Sequence, residues 1–279
     1  MKPSSFLSSL LLLLAVYCSF GQNKIDKENV TPLTIGDIVT IKSLILNEDR
    51  TLNIYLPEGY TAKDTLKYPV IYVLDGTMNE DFLHIVGLTQ FFNLQYTMPK
   101  TIVVGIANVD RKRDFTFPTT DKGLKRDYPT TGGSAKFISF IENEIQPFIS
   151  KNYNINSNKM LIGQSLGGLL ATEILLKRMD LFTHYFIVSP SLWWDNESLL
   201  QDAQAYISAQ KDIPIYAYIS VGTEGNVMES EATKIFELLK KANKNHLKTD
   251  FKFLPNENHA SILHQSINEG FKLLFPLKS

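Results

Sequence analysis

The stretch "MLIGQSLGGLLATEILL", residues 160–176, passes from one apolar run through a turn of small residues into another. The first run reads as a buried strand and the second as an apolar helix. A strand that turns directly into a helix forces the turning residue into a strained backbone conformation, and its neighbours two positions away must be small. Ser165 occupies the turn, with Gly163 and Gly167 on either side and Gly168 next in the chain. Such a turn holds a hydroxyl exposed beside the N–H groups of a helix start.

Outward from this stretch, short β-branched runs alternate with helical patterns. The runs are "YPVIYVLDG" (68–76), "KTIVVGIANV" (100–109), "KMLIGQS" (159–165), "HYFIVSPS" (184–191), "IPIYAYISVG" (213–222) and "LKTDFKFLPN" (247–256). Helices are expected near 80–96, 133–150, 166–179, 197–210, 227–243 and 260–275. Nearly continuous apolar runs belong to strands covered on both faces, hence to a parallel sheet between helices. Before them, "TIGDIVTIKSLIL" and "RTLNIYLP" read as an antiparallel hairpin around the turn "NED". The reading is one α/β domain, residues 34–279, with about eight mostly parallel strands, helices on both faces and an N-terminal hairpin. One connection, residues 110–133, runs far beyond the usual four to six residues, without convincing periodicity.

The first 21 residues combine a lysine, a short apolar run and the small residues Ser19 and Gly21, the pattern of a secretory signal peptide. That run is shorter than the roughly 20 residues needed to span a bilayer. Cleavage after Gly21 leaves a polar leader, residues 22–33, and an exported chain, periplasmic or extracellular. Lipid anchoring at Cys18 is the rival reading, but Tyr17 fits poorly where a lipoprotein signal wants a small residue. Cys18 is the only cysteine, so the mature chain would have no disulfide and no thiolate chemistry. A net charge of −1 gives no global attraction to nucleic acid or to anionic membrane. Stable membrane insertion is not expected, and the oligomeric state stays open.

A serine hydroxyl is a poor nucleophile until a base takes its proton. Of five histidines, His84 and His264 fall in helix candidates, His184 opens a strand and His246 lies in a polar stretch. His259, in "LPNENHASIL", follows the last strand at the same sheet edge as Ser165 and is the expected base; His264 is its rival. The orienting acid should follow another strand between serine and histidine in chain order. In "VGTEGNVMESE", Glu224 fits that position best, whereas Glu229 and Glu231 read as first-turn helix residues. Glu229 and a dyad without an acid remain open. The backbone N–H of Leu166 is one expected oxyanion donor and that of Thr77, after Gly76, the other; Asp75 would brace that loop. There is no HExxH, no cysteine cluster and no dinucleotide glycine motif after a strand, so neither metal nor organic cofactor is expected. The bland reading of the turn is a glycine-rich strand-to-helix connection with a capping serine.

The ordered segments "YVLDGTMNEDF", "VGIANVDRKRDFTF", "LIGQSLGG", "SPSLWW", "VGTEGN" and "PNENHASIL" resemble the putative esterase family of the α/β-hydrolase superfamily. The nearest branch is similar to siderophore trilactone esterases of enterobactin and salmochelin processing, and features are shared with S-formylglutathione hydrolases and feruloyl esterases. The resemblance implies an α/β-hydrolase fold, nucleophile Ser165, base His259 and oxyanion donors Thr77 and Leu166. It says less about Glu224, because some relatives of the salmochelin esterase lack a conventional acid. Trp193 and Trp194 are then candidates for an aromatic substrate wall, and Arg111 and Arg113 for contacts with an anionic or catecholate substrate. The competing readings are a structural tryptophan and a solvated charged loop, with Asp110 and Asp114 pairing the arginines. The implied function is cleavage of a small-molecule carboxylic ester by a secreted serine esterase. Carbohydrate acetyl or feruloyl ester hydrolysis, acyl transfer, and a binding protein that has lost catalysis are the alternatives.

Overall fold

In the computed structural model, which describes residues 30–63 and 65–277, eight strands form one sheet in the order β1-β2-β4-β3-β5-β6-β7-β8. They are β1 (Asp37–Ser43), β2 (Glu48–Tyr55), β3 (Tyr68–Val73), β4 (Ile102–Ile106), β5 (Ile155–Gln164), β6 (His184–Val188), β7 (Ile215–Gly222) and β8 (Leu247–Leu254). The β1–β2 and β2–β4 pairs are antiparallel, and every other neighbouring pair is parallel. The α/β architecture read from the sequence is therefore the one observed. Residues from Gly36 onward form one unit. The expected signal peptide, Cys18 and most of the polar leader lie outside the described residues.

Alternation along each strand sends neighbouring side chains to opposite faces. Val70 and Tyr72 of β3 join one core while Ile71 and Val73 join the other, and Tyr185 and Phe186 of β6 divide in the same way. This is why "YPVIYV" is buried along its whole length. Helices α1 (Phe82–Leu94), α2 (Arg111–Asp114), α3 (Lys122–Asp127), α4 (Ser134–Phe140), α5 (Gln146–Asn152), α6 (Leu166–Lys177), α7 (Trp194–Gln201), α8 (Ala203–Ala209), α9 (Asn226–Lys241) and α10 (Ile262–Leu274) complete the chain. A π-helical turn, Ile141–Ile145, joins α4 to α5. The core face with Tyr72 and Tyr185 is covered from α4, α6, α8 and α9, and the other face from α1 and α10. No helix among the described residues is long and apolar enough to cross a membrane.

Two local expectations need correction. The hairpin turns at Leu44–Asn47 rather than at "NED", with Asn47 at φ 54° and Glu48 and Asp49 already in β2. The Glu144 carboxylate fixes this turn by accepting from the amides of Leu44 and Ile45 and from the Ser43 hydroxyl. Residues 110–133 contain α2 and α3, each a short helix whose start is capped by an aspartate, Asp110 or Asp121. Buried Phe115 and Phe117 pin the segment to the core. Helices this short leave too little periodicity to be read from sequence.

Candidate active site

Ser165 stands between β5 and α6 with φ 59° and ψ −120°, a conformation unfavourable for a residue with a Cβ. A Cβ on Gly163 would lie 2.3 Å from the Gly167 carbonyl oxygen, and one on Gly168 would lie 2.9 Å from Pro190 Cα and the Val188 carbonyl oxygen. Gly168 is thus more tightly enclosed than Gly167, whose nearest contact would be Asp75 Oδ2 at 3.3 Å. The main chain of the turn is held by β6 and the residues after it: the Ser165 amide donates to the Val188 carbonyl, and the Ser191 amide to the Ser165 carbonyl. The Leu166 amide belongs to the first turn of α6, where N–H groups have no intrahelical acceptor.

His259 follows β8 and Glu224 follows β7, and the two connections are tied together where the Thr223 amide donates to the Glu257 carbonyl. His259 Nδ1 lies 2.5 Å from Glu224 Oε2. The Glu224 side chain is only 2% exposed, against 46% for His259. Burial works to raise the Glu224 pKa, but hydrogen bonds from His259, Ser189 and the Gly222 amide outweigh it and leave the carboxyl below its ordinary range. Glu229 serves a different end: its Oε1 accepts the amides of Glu224 and Gly225 at the start of α9. His264 lies on α10 with its ring against His84, 5.8 Å between centroids.

Three cavities, of about 340, 480 and 570 Å³, share Ser165. His259 lines the first and third, and Trp193 the second and third. Leu166 lines the second. Thr77 sits on the turn after β3 with its hydroxyl donating to Glu80, and is not among the residues lining these cavities. Arg111 lines the first two cavities and grips Asp75 with both ends of its guanidinium, at 2.6 and 3.1 Å. Asn108 donates to the same carboxylate, so Asp75 does brace this wall.

Two residues expected at the substrate are engaged elsewhere. Trp194 is fully buried, and its indole N–H donates to the Phe117 carbonyl. It packs the core because a ring of that size beside the start of α7 gains more from burial than from exposure. Arg113 turns away from the cleft to bind Glu48 and Asp114, filling a charge network under the long connection. Asp110 meets Arg113 through its backbone amide rather than its guanidinium.

Several polar groups of the cleft were not foreseen from sequence. Ser191 Oγ lies 3.4 Å from Ser165 Oγ, Ser189 Oγ reaches Glu224, and the Gln164 side chain donates to the His259 carbonyl. Asp81, in the wall of the smallest cavity, has its pKa raised to about 7 by burial and by the charges of Asp75 and Glu80, against the opposing pull of Arg111. Gln164, Ser189 and Ser191 are marked in the sequence only by their place at or just past the ends of β5 and β6, and Asp81 only by its place before α1.

A family model described as "Putative esterase" matches residues 43–266. The chain is 29% identical over 252 residues to the ferri-bacillibactin esterase BesA of Bacillus subtilis (strain 168), covering 81% of this chain and 85% of that protein. Among solved structures, an IroE-like serine hydrolase from Shewanella oneidensis superposes with a TM-score of 0.79 at 30% identity, over 86% of this chain and 80% of the other. The BES protein from Bacillus cereus does so with a TM-score of 0.77 at 30% identity, over 90% of this chain and 99% of the other.

Proposed function

Since the chain belongs to the putative esterase family and is a carboxylic ester hydrolase, we propose that it is an exported serine esterase that cleaves siderophore esters through an acyl-serine intermediate. His259 takes the proton of Ser165 as Oγ attacks the ester carbonyl. Glu224 orients the imidazole and stabilises its protonated form. The Leu166 amide, with that of Thr77 as second donor, holds the oxyanion. The alcohol departs with the proton from His259, and a water activated by the same histidine then releases the acid.

The observation that carries this reading is that Ser165, on its strained turn, shares two cavities with a histidine paired at 2.5 Å to a buried glutamate. The siderophore assignment draws support from the esterase of Bacillus subtilis and from the middle cavity. There Arg111, Lys112, Tyr128 and Trp193 combine cations with aromatic faces, a lining suited to an anionic aromatic arm. Export rests on the first 21 residues and is checked by the N-terminus of the protein recovered from outside the cytoplasm.

Ser165→Ala is expected to lower kcat/KM on a short p-nitrophenyl ester by at least about 10⁴. Unchanged hydrolysis would show that another residue is the nucleophile. Ferric and iron-free trilactone siderophores, assayed beside acetylated and feruloylated sugars, test the substrate. Turnover of the sugars alone would overturn the siderophore reading.

A further inference from the structure

Ser189 directly follows β6, is fully buried, and has φ 42°. Left-handed backbone is unfavourable for any residue with a Cβ, and glycine would occupy it freely. The side chain at this position therefore has to be accounted for by what it touches. Its hydroxyl donates to Glu224 Oε1 at 2.5 Å. The Gly222 amide reaches the same oxygen at 2.9 Å, while Oε2 faces His259 Nδ1. Among the described residues, Ser189 thus supplies the side-chain hydrogen bond to the carboxylate oxygen that does not face the histidine.

The backbone around Ser189 is equally constrained. Its amide donates to the Ser220 carbonyl, locking it to β7. The residue before it, Val188, accepts from the Ser165 amide, and Ser191, two residues on, donates to the Ser165 carbonyl. Pro190, between the serines, lies against Gly168 of α6. One four-residue segment therefore grips the main chain of the nucleophile and, through a single hydroxyl, the carboxylate behind the histidine.

We propose that Ser189 is a positioning residue, holding the Glu224 carboxylate against His259 and coupling it mechanically to the turn that carries Ser165. The inference rests on the reading of Glu224 as the orienting acid. A carboxylate deprived of one donor is more basic and less constrained, so its hold on the imidazole changes in both strength and direction.

The test compares Ser189→Ala, Ser189→Gly, Glu224→Gln and the double variant Ser189→Ala/Glu224→Gln on a p-nitrophenyl ester across pH. Ser189→Ala is expected to lower kcat about tenfold with little change in KM. The acid limb of its kcat/KM profile should move to higher pH, because the carboxylate, deprived of a donor, is more basic. Ser189→Gly relieves the left-handed backbone yet removes the same hydroxyl, so it should match Ser189→Ala in rate even if the alanine variant folds poorly. In the Glu224→Gln background, Ser189→Ala should cost little more, since the group it positions is already altered. A merely structural serine would give equal losses in both backgrounds and an unmoved acid limb, and that result overturns the proposal. Lowered kcat in Glu224→Gln with wild-type kcat in both serine variants overturns it alone, whereas wild-type kcat in Glu224→Gln overturns the acid assignment as well.

Discussion

Asp81 is half-buried in the cleft wall, where burial and the carboxylates of Asp75 and Glu80 disfavour its charge and Arg111 acts against them. Its pKa rises from 3.8 to about 7, so the folded state resists the charge that the unfolded chain accepts readily. An acid with a raised native pKa destabilises the fold above its unfolded value, and the penalty grows until pH passes the native value. Asp81→Asn should therefore raise Tm by an amount that is small near pH 4, increases up to about pH 7 and then stays constant. Thermal unfolding of both proteins at several pH values checks this, and a pH-independent difference would contradict it. Glu224 has the opposite sign. Its lowered pKa makes its stabilising effect complete above the ordinary carboxylate value and lost as pH falls through the native one. The positions of Ser165, Glu224 and His259 were legible at this scale because each lies at or just past the end of a strand run; the raised pKa of Asp81 was not, because its largest cause is burial, which only the fold sets.

At the scale of elements, one close approach is where α6 crosses the end of β6. A Cβ on Gly168 would press on main-chain atoms of Val188 and Pro190, which cannot swing aside as a side chain can. Gly168→Ala is expected to destabilise the protein by about 1–3 kcal/mol and to lower activity further by displacing the segment that holds Ser165. Gly87, in the exposed middle of α1, has nothing within 4 Å of a built Cβ. There the same change should stabilise by about 0.5–1 kcal/mol through helix propensity. Denaturant unfolding of the two variants separates a close approach from an unused freedom. The sequence showed the glycines around Ser165, but it ranked Gly167 with Gly163 because the segment that crowds Gly168, Val188 to Pro190, lies far along the chain.

Across the whole molecule, the connection from residue 110 to 133 is anchored by buried charge. Arg50 of β2, with its side chain fully enclosed, binds Asp114 at 2.7 Å and Glu48 at 2.9 Å and lies over the rings of Phe137 and Phe140. Arg113 closes the network on Asp114 and Glu48. This ties the antiparallel edge of the sheet to the segment that presents Arg111 and Lys112 to the cleft. Arg50→Met should cost about 3–5 kcal/mol, because it leaves Asp114 buried with half its pairing. The loss is read by urea unfolding, and an accompanying rise in KM would show that the anchored segment shapes the substrate site. A stability change below about 1 kcal/mol would mean that Arg113 alone satisfies Asp114.

The sequence by itself determined the α/β order, the parallel sheet and the elbow at Ser165, because these depend on local apolar period, turn chemistry and chain order. It also drew His259 and Glu224 to one edge of the sheet, since parallel strands place all their carboxyl ends on the same side. Tertiary structure alone decided which neighbours fill the site. "LWW" divides into a cleft residue, Trp193, and a core residue, Trp194, and "DRKRD" into a cleft arginine, Arg111, and a structural one, Arg113. Adjacent residues in a turn or short helix point in directions set by contacts far along the chain, and no local pattern records those contacts. The hydroxyl of Ser189 is the clearest case, because its partner is a carboxylate 35 residues away.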